Sequence, residues 1–469
     1  MPSRREQIQS YQYLMQRAVN AFVSGDADPQ MSPTRRLAGA GYASVMVAVL
    51  LVAVFGVIGL IKHGGNTSWR DNHAIIIEKE TGTRYVYRDG VLYPVANYAS
   101  AVLVIGQPAT TVSVSRESLV DATRGPLIGI AGAPDALPPA SRMLRGAWSV
   151  CAQSGKDASG GTTVISSVLV GRDPSGGAPL GEAAVLVRDI GSSKVSMVWH
   201  GHRFAVASRL MLSAMGIDQQ PTLRTDSAWL DTVPAGLAFT QPTLDGRGQK
   251  SNAMKNYLIG QVLTVSGGGS TVHYLVRAND ILPITAIEQA LILADPNTAQ
   301  AYPGATASAK EVPAAEVAGA AKGGRPAASD LDPPAEVPAM ATADAESTVC
   351  GTFADGGTLP KFVIGAAAVP DNQGIATFGS STDSVADRIV VPSGHGAVVR
   401  SAPSAEAGSG TVFFVTDQGK RYPVPGVPEL SWFGYAKVKP IVLPSSVVAR
   451  IPTGPGLDPQ VAQRPVAGS

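Results

Sequence analysis

The run LAGAGYASVMVAVLLVAVFGVIGLI, Leu37 to Ile61, holds 25 residues without a charge, and no other feature limits the architecture so strongly. At about 1.5 Å per residue, a helix of this length covers roughly 37 Å, more than the roughly 30 Å hydrocarbon core of a bilayer. The sequence therefore predicts a transmembrane helix over 37–61. A secretory signal peptide is the competing reading, and Thr34-Arg35-Arg36-Leu37 resembles part of a twin-arginine signal. Against it stand a 36-residue leader, an apolar run longer than a signal core and no Ala-x-Ala site in IKHGGNTSWRDNH. Arg17, Arg35 and Arg36 precede the span while Lys62 and Arg70 follow it, so the positive-inside rule favours a cytoplasmic N-terminus. Roughly 400 residues and both cysteines then lie outside the cytoplasm, where disulfides persist.

Before the span, RREQIQSYQYLMQRAVNAFVSGD places Ile8, Tyr11, Met15, Ala18 and Phe22 at spacings of three and four. Leu14 and Val19 widen the stripe, and Gly25 stands where a C-cap belongs. This predicts an amphipathic helix in a cytoplasmic segment, 1–36. Isolated helices of this length are marginal in water, so Ile8, Tyr11, Met15 and Phe22 are expected to dock on the bilayer surface or on a partner's cytoplasmic domain.

A chain of 469 residues exceeds what one core usually organises. With a net charge of +1 and 16% charged residues it offers no broad basic surface, so nucleic acid is not an expected partner. The 51 glycines and 35 prolines break short Val- and Ile-rich runs, a pattern of short strands and turns.

The stretch TGTRYVYRDGVLYPVANYASA, Thr81 to Ala101, has three echoes. In VWHGHRFAVASRLMLSAMGI, Gly201, Phe204, Val206 and Ala207 answer Gly90, Tyr93, Val95 and Ala96. In TVHYLVRANDILPITAIEQALILA, Tyr274, Asn279, Leu282, Pro283 and Ile284 answer Tyr85, Gly90, Tyr93, Pro94 and Val95 at one offset. In TDQGKRYPVPGVPEL, Gly419-x-Arg421-Tyr422 repeats Gly82-x-Arg84-Tyr85. Each copy reads as a strand, a tight turn at Gly90, Gly201 or Asn279 with positive φ, a second strand and an apolar segment suited to a helix. Such a unit buries its apolar face poorly alone, so several must pack together. Downstream, Arg124-Gly125-Pro126-Leu127, Val233-Pro234-Ala235-Gly236-Leu237 and Ile451-Pro452-Thr453-Gly454 hold one place, whereas the third copy stops short.

Between copies lie WSVCAQSGKDASGGTTVISSVLVG and STVCGTFADGGTLPKFVIGAAAV, each with x-Val-Cys, a glycine-containing loop and a short apolar strand. The order is repeat, half-core, repeat, repeat, half-core, repeat. The predicted fold is a single-pass membrane protein with an α+β extracytoplasmic body: four small hairpin-plus-helix repeats around a discontinuous, pseudo-twofold central β-rich domain. The boundaries are repeat 1 at 72–138, the first central half at 141–184, repeat 2 at 185–245, repeat 3 at 258–296, the second central half at 347–400 and repeat 4 at 411–460. Cys151 and Cys350 occupy matched places in the two halves and are expected to pair in an oxidising compartment; two buried thiols are the alternative. The Ala/Pro-rich segment 297–346 reads as an exposed linker or disordered loop.

Catalytic patterns are weak. Ser154-Gly155-Lys156-Asp157 and Gly248-Gln249-Lys250-Ser251 approach a phosphate-binding loop but fail in spacing or in the hydroxyl. His200 and His202 suit a turn better than a metal site, which needs three or four ligands. No Gly-x-Ser-x-Gly nucleophile elbow occurs.

The N-terminal helix, the arginine pair before one span, TGTRYVYRDGVLYPVANYASA, Trp148 to Cys151 and the second cysteine together resemble the EccB family. Its members are membrane components of the type VII (ESX) secretion systems of mycobacteria and related actinobacteria. The resemblance implies a cytoplasmic helix, one span, and a periplasmic region of four repeats around a central domain with one disulfide. It also implies the plasma membrane as location, assembly with EccC, EccD and EccE, and self-association in the periplasm. The family's repeats are similar to a phage-lysin wall-binding fold, which implies peptidoglycan as a further contact. Members also carry an ATPase label, so ATP is the alternative to no cofactor; no motif here receives that activity. The expected role is structural, with ATP hydrolysis or peptidoglycan binding as alternatives.

Overall fold

The computed structural model describes residues 3–25, 33–61, 67–156, 159–370, 372–377, 385–403, 407 and 409–466. The chain divides into two compact units, the first holding 1–70, 78–81 and 113–122 and the second the remainder. In the first unit, α1 (Arg4–Ser24) begins at a capping box made by Ser3 and Glu6 and ends at Gly25, whose φ of 65° is the left-handed cap expected from sequence. Ile8, Tyr11, Met15 and Phe22 are all exposed along it. A second helix, α2 (Pro33–Ile61), contains a 21-residue stretch, Ala38–Ile58, long and apolar enough to cross a membrane. Lys62 lies outside the described residues.

Among the described residues, four four-stranded sheets share one strand order. The first contains β1 (Ala74–Glu78), β2 (Arg84–Arg88) and β3 (Val91–Pro94), followed by α3 (Tyr98–Ile105) and β4 (Thr110–Val114). A seven-stranded central sheet begins with β5 (Trp148–Lys156), β6 (Thr162–Leu169) and β7 (Ala178–Pro179). The second sheet is β8 (Val185–Asp189), β9 (Val195–Trp199), β10 (His202–Val206), α4 (Arg209–Ala214) and β11 (Thr222–Thr225), with α5 (Ser227–Leu230) after it. The third is β12 (Val262–Gly267), β13 (Ser270–Val276), β14 (Ile281–Ile284), α6 (Ala286–Ala294) and β15 (Lys310–Glu311), with α7 (Ala314–Ala318) beyond. The central sheet resumes with β16 (Val349–Phe353), β17 (Lys361–Ile364), β18 (Ile375–Ala376) and β19 (Arg388–Val390). The fourth is β20 (Gly396–Ala402), β21 (Thr411–Thr416), β22 (Arg421–Val424), α8 (Val427–Trp432) and β23 (Ile441–Pro444), followed by α9 (Ser445–Val448) and α10 (Pro459–Ala462). In each four-stranded sheet the order is third, second, first, fourth, and the fourth strand runs parallel to the first in β11·β8, β15·β12 and β23·β20.

Segment 297–346 is not the exposed linker expected from its composition. It supplies β15, whose Lys310 and Glu311 pair with Leu263 and Thr264 of β12. Val312 and Val317 are buried against Leu263 and Val276. A strand of two residues carries no periodicity, so an Ala/Pro-rich composition hid it. The third sheet therefore continues past 296 and takes its fourth strand from the very segment expected to end it.

The central sheet has the order β18-β19-β6-β5-β16-β17-β7, so β5 and β16 sit side by side. Edge strand β7 pairs with β17, and β19 pairs in parallel with β6, which crosses the two chain segments over one another. The largest core joins this sheet to the second and fourth through Trp148, Val187, Trp229, Val399 and Val447. The first sheet packs on the fourth through Ala99, Leu103, Phe414 and Leu430, and the third on the second through Ile287, Leu291, Leu212 and Phe204.

Candidate functional site

The joint between the halves of the central sheet is built from β5 and β16. Their antiparallel register sets Cys350 directly opposite Cys151, and the two are bonded. Both are buried, with Leu169, Ala366, Val369 and Val390 around them. Two residues along β5, buried Gln153 donates from Nε2 to the Val369 carbonyl at 3.2 Å and accepts the Val369 N–H on Oε1 at 2.7 Å. Across the same register, Ser149 and Thr352 share a hydroxyl contact of 2.9 Å. A buried amide with both ends satisfied fixes strand position more firmly than apolar contacts do.

The four-stranded sheets share a lock that sequence comparison touched without explaining. In each, one residue of the third strand exchanges two backbone hydrogen bonds with a returning segment. Leu92 N–H donates to Thr123 at 2.8 Å and receives Gly125 N–H at 3.0 Å; Arg203 pairs with Pro234 and Gly236 at 2.9 Å each. Ile281 pairs with Ala321 and Gly323 at 2.8 Å each, and Arg421 with Pro452 at 2.9 Å and Gly454 at 2.8 Å. The bridged residues are Leu92 and Arg124, Arg203 and Ala235, Ile281 and Lys322, and Arg421 and Thr453. A Cβ at Gly125, Gly236 or Gly454 would overlap the ring of Tyr93, Phe204 or Tyr422, each next to the bridged residue on the third strand. The glycine is there for close approach of a ring, not for an unusual φ. At Gly323 the neighbours are Arg277 and Asp280 instead. The signal was the downstream likeness of Gly125, Gly236 and Gly454; the matching Gly323 escaped because the third copy places it later in the chain.

Where the second and fourth sheets meet the central one, polar groups key the contact. Trp229 Nε1 donates to the Val150 carbonyl at 3.1 Å. Within the central sheet Asp387 accepts the Ser166 N–H at 2.8 Å and hydroxyl at 3.0 Å, and beside it Asp226, after the second sheet, caps α5 by accepting the Trp229 N–H at 2.9 Å. Burial raises the Asp226 carboxyl above its usual range; hydrogen bonds from Ser166 and the Trp229 amide oppose this, and the Asp387 charge adds to it. Arg450, only 6% exposed, donates from Nε to the Ser446 carbonyl at 2.9 Å and faces Asp231 at 3.9 Å. Burial lowers its pKa, against the attraction of Asp231 and Asp226. Farther out, the Tyr435 hydroxyl donates to the Pro138 carbonyl at 2.6 Å, and burial pushes its pKa up.

The anticipated turn residues divide. Gly90 and Gly201 each have φ 81° and follow Asp89 and His200, at 51° and 47°, in two-residue hairpin turns. Asn279 is a correction: it lacks a positive φ, because β13 and β14 are joined by a four-residue turn in which Arg277 and Asp280 form a two-pronged ion pair. The fourth copy also aligns differently from the motif. Arg421-Tyr422 opens a third strand, β22, whereas Arg84-Tyr85 opens a second strand, β2. His200 stacks on Trp199 at 3.8 Å and contacts the Glu182 carboxylate at 2.7 Å, while His202 is buried on β10. No group of three or more His, Cys, Asp or Glu placed to hold a metal occurs among the described residues. Ser154 to Lys156 continue β5, paired with Val164 to Thr162, and Gly248 to Ser251 run on without a helix; neither has the loop-to-helix cradle of a phosphate site.

A family model described as "Type VII secretion system ESX-1, transport TM domain B" matches residues 1–466. The chain is 27% identical over 484 residues to "ESX-3 secretion system ATPase EccB3" of Mycolicibacterium smegmatis, covering 97% of this chain and 89% of that protein. It is 30% identical over 244 residues to "ESX-2 secretion system ATPase EccB2" of Mycobacterium tuberculosis, covering 50% of this chain and 48% of that protein. Among solved structures, a chain of an intact ESX-5 inner membrane complex matches with a TM-score of 0.63 at 22% identity, covering 100% of this chain and 96% of that one. The EccB3 dimer from the ESX-3 core complex matches with a TM-score of 0.62 at 22% identity, covering 83% of this chain and 100% of that one.

Proposed function

The chain belongs to the EccB family of type VII (ESX) secretion membrane components, and from that premise we propose that it is the scaffold on which the extracytoplasmic side of the secretion complex is organised. The observation that carries this reading is the central sheet: Cys151–Cys350 and crossed edge strands weld two distant chain segments into one piece. The largest apolar core extends that piece into the second and fourth sheets. On this reading the four sheets are copies of one unit, and the central sheet carries a pseudo-twofold between β5 and β16. The span α2 anchors the body, the N-terminus is cytoplasmic, and the second unit lies in the periplasm. Ile8, Tyr11, Met15 and Phe22 dock on the cytoplasmic machinery, whose other chains are EccC, EccD and EccE. A relative solved as a dimer supports self-association through the periplasmic body, and peptidoglycan is a further surface it can meet.

Purification of the intact membrane complex through a tag on this chain tests the proposal. EccC, EccD, EccE and a second, differently tagged copy are expected to co-purify, and removal of residues 67–466 is expected to abolish assembly. Assembly and secretion surviving that removal would overturn it. The relatives' names carry the word ATPase, so calorimetric titration of the full chain with ATP is the matching test for the nucleotide reading; stoichiometric binding would favour it.

A further inference from the structure

A cleft of about 820 Å³ opens in the second sheet between the start of β9, the end of β10 and the start of α4. Arg188, Lys194 and Arg209 line it, and Asp218 is the one carboxylate among the lining residues. Asp218 accepts a hydrogen bond from Gln219 at 2.8 Å, and none of the three cations forms an ion pair among the described residues. The rim is held in place. Buried Asp189 accepts the N–H groups of Gly191 at 3.1 Å and Ser192 at 3.3 Å, and its carbonyl accepts that of Ser193 at 2.8 Å. Lys194 is therefore presented from a closed turn, with little loop ordering left to oppose binding.

The fold does not ask for all three charges together, although the fourth sheet also has an arginine at the position of Arg188. Arg188 stands opposite Val195; at the same register, the first, third and fourth sheets have Ile77, Thr264 and Arg400. Arg209 opens α4, where Tyr98, Ala286 and Val427 open α3, α6 and α8. The corresponding hollow of the fourth sheet, about 760 Å³, is lined by Pro423, Val424, Pro425 and Val427 with one cation, Arg400, and one carboxylate, Asp458. One shape thus carries two chemistries, and only the second sheet's is basic.

Two guanidinium forks and an ammonium match the several acceptor oxygens of a phosphate better than the two of a carboxylate. The volume leaves room for more than the phosphate itself. Ser208 also lines the cleft; its Oγ accepts the Met211 N–H at 3.3 Å, which leaves its hydroxyl proton free to donate. We propose that this cleft binds a phosphate-bearing organic ligand, with Arg188, Lys194 and Arg209 on the phosphate and Ser193 and Ser208 hydrogen-bonding to the polar group attached to it. The site is independent of the scaffold role.

The test is isothermal titration calorimetry of the full chain in neutral detergent. The probes are glucose 6-phosphate, a short-chain water-soluble phosphatidylinositol, inorganic phosphate and glucose. Binding of an organic phosphate at one site per chain is expected, weakening as salt is added, with no heat from glucose. The R188Q/K194Q/R209Q variant is expected to lose at least about tenfold in affinity, the scale of one lost charge-assisted contact. R400Q is expected to bind as the parent does, and an unchanged thermal midpoint shows that the triple variant is folded. Tighter binding of the phosphatidylinositol would support the proposal with a lipid headgroup as source, and tighter binding of glucose 6-phosphate would support it with a soluble one. No binding of either organic phosphate, equal binding of inorganic phosphate, or undiminished binding by the triple variant would overturn it.

Discussion

A methyl group at position 454 has nowhere to go, because the Tyr422 ring lies where it would be. Overpacking of this kind costs about 1–3 kcal/mol, while replacing glycine with alanine gains about 0.4–1 kcal/mol by restricting the unfolded chain. The first effect wins, so G454A is expected to lower stability by about 1–2 kcal/mol in urea unfolding. At Gly456 nothing beyond the adjoining residues lies within 4 Å of where a methyl group would sit, so G456A serves as the control and should change stability little. Equal effects at both positions would dismiss the ring lock. A second residue-scale expectation concerns charge. Burial raises the Asp226 pKa above 3.8, so the folded protein holds that proton more tightly than the unfolded chain. Its contribution is therefore most favourable below pH 3.8 and is lost as pH rises through the folded value. D226N keeps an oxygen to cap α5 and removes the loss. It should equal or exceed the parent in stability near neutrality, with the difference closing in acid. Urea unfolding at the two pH values checks this, and a D226N protein that is less stable near neutrality than in acid, relative to parent, would contradict it.

At the scale of elements, the instructive case is the segment that composition assigns to a linker. Lys310 lies on β15, and Lys322 lies in the bridge to Ile281; a protease needs an extended, unpaired backbone at its cleavage site. The native chain is therefore expected to resist trypsin at both lysines. V317A, which empties a buried position of α7, should cost about 1–3 kcal/mol and speed cutting there. Rapid cleavage of the parent at Lys310 would restore the linker reading. Why this part was illegible while α1 and α2 were plain is a matter of range. A 25-residue apolar run and an i, i+3, i+4 stripe are local patterns that sequence displays directly. Gly90 and Gly201 were legible because a two-residue turn needs positive φ. Asn279 misled because the longer turn at Arg277–Asp280 is closed by charge and makes no such demand. The glycine lock was half legible: the likeness of Gly125, Gly236 and Gly454 showed, but its cause is a ring contributed by a strand about thirty residues earlier. The basic cleft left no motif, since Arg188, Lys194 and Arg209 come to line one cleft only after the strands have paired.

For the whole molecule, chain order and packing order differ, and the disulfide sits where they diverge. The first half of the central sheet is separated from the second by the whole of the second and third four-stranded sheets, yet β5 and β16 lie in register at Cys151 and Cys350. The 199-residue separation sets a stabilisation of up to roughly 5 kcal/mol on the chain-entropy view. The bond is not alone. Gln153 with Val369, and the crossed pairings of β7 with β17 and β19 with β6, tie the same segments together without sulfur. The C151A/C350A variant should therefore fold but unfold at a lower urea midpoint, with a loss of about 2–5 kcal/mol. The loss should be shared unevenly. Trp229, Val399 and Val447 of the second and fourth sheets belong to the same core as Trp148 of β5, so their sheets should weaken together with the central one. The third sheet keeps a core of its own in Leu263, Tyr274, Val276 and Ile281, and its protection should change least. Native-state hydrogen exchange of parent and variant resolves the pattern. A uniform fall across all five sheets would mean that the body opens as one unit, and that the central sheet does not set the boundary between its parts.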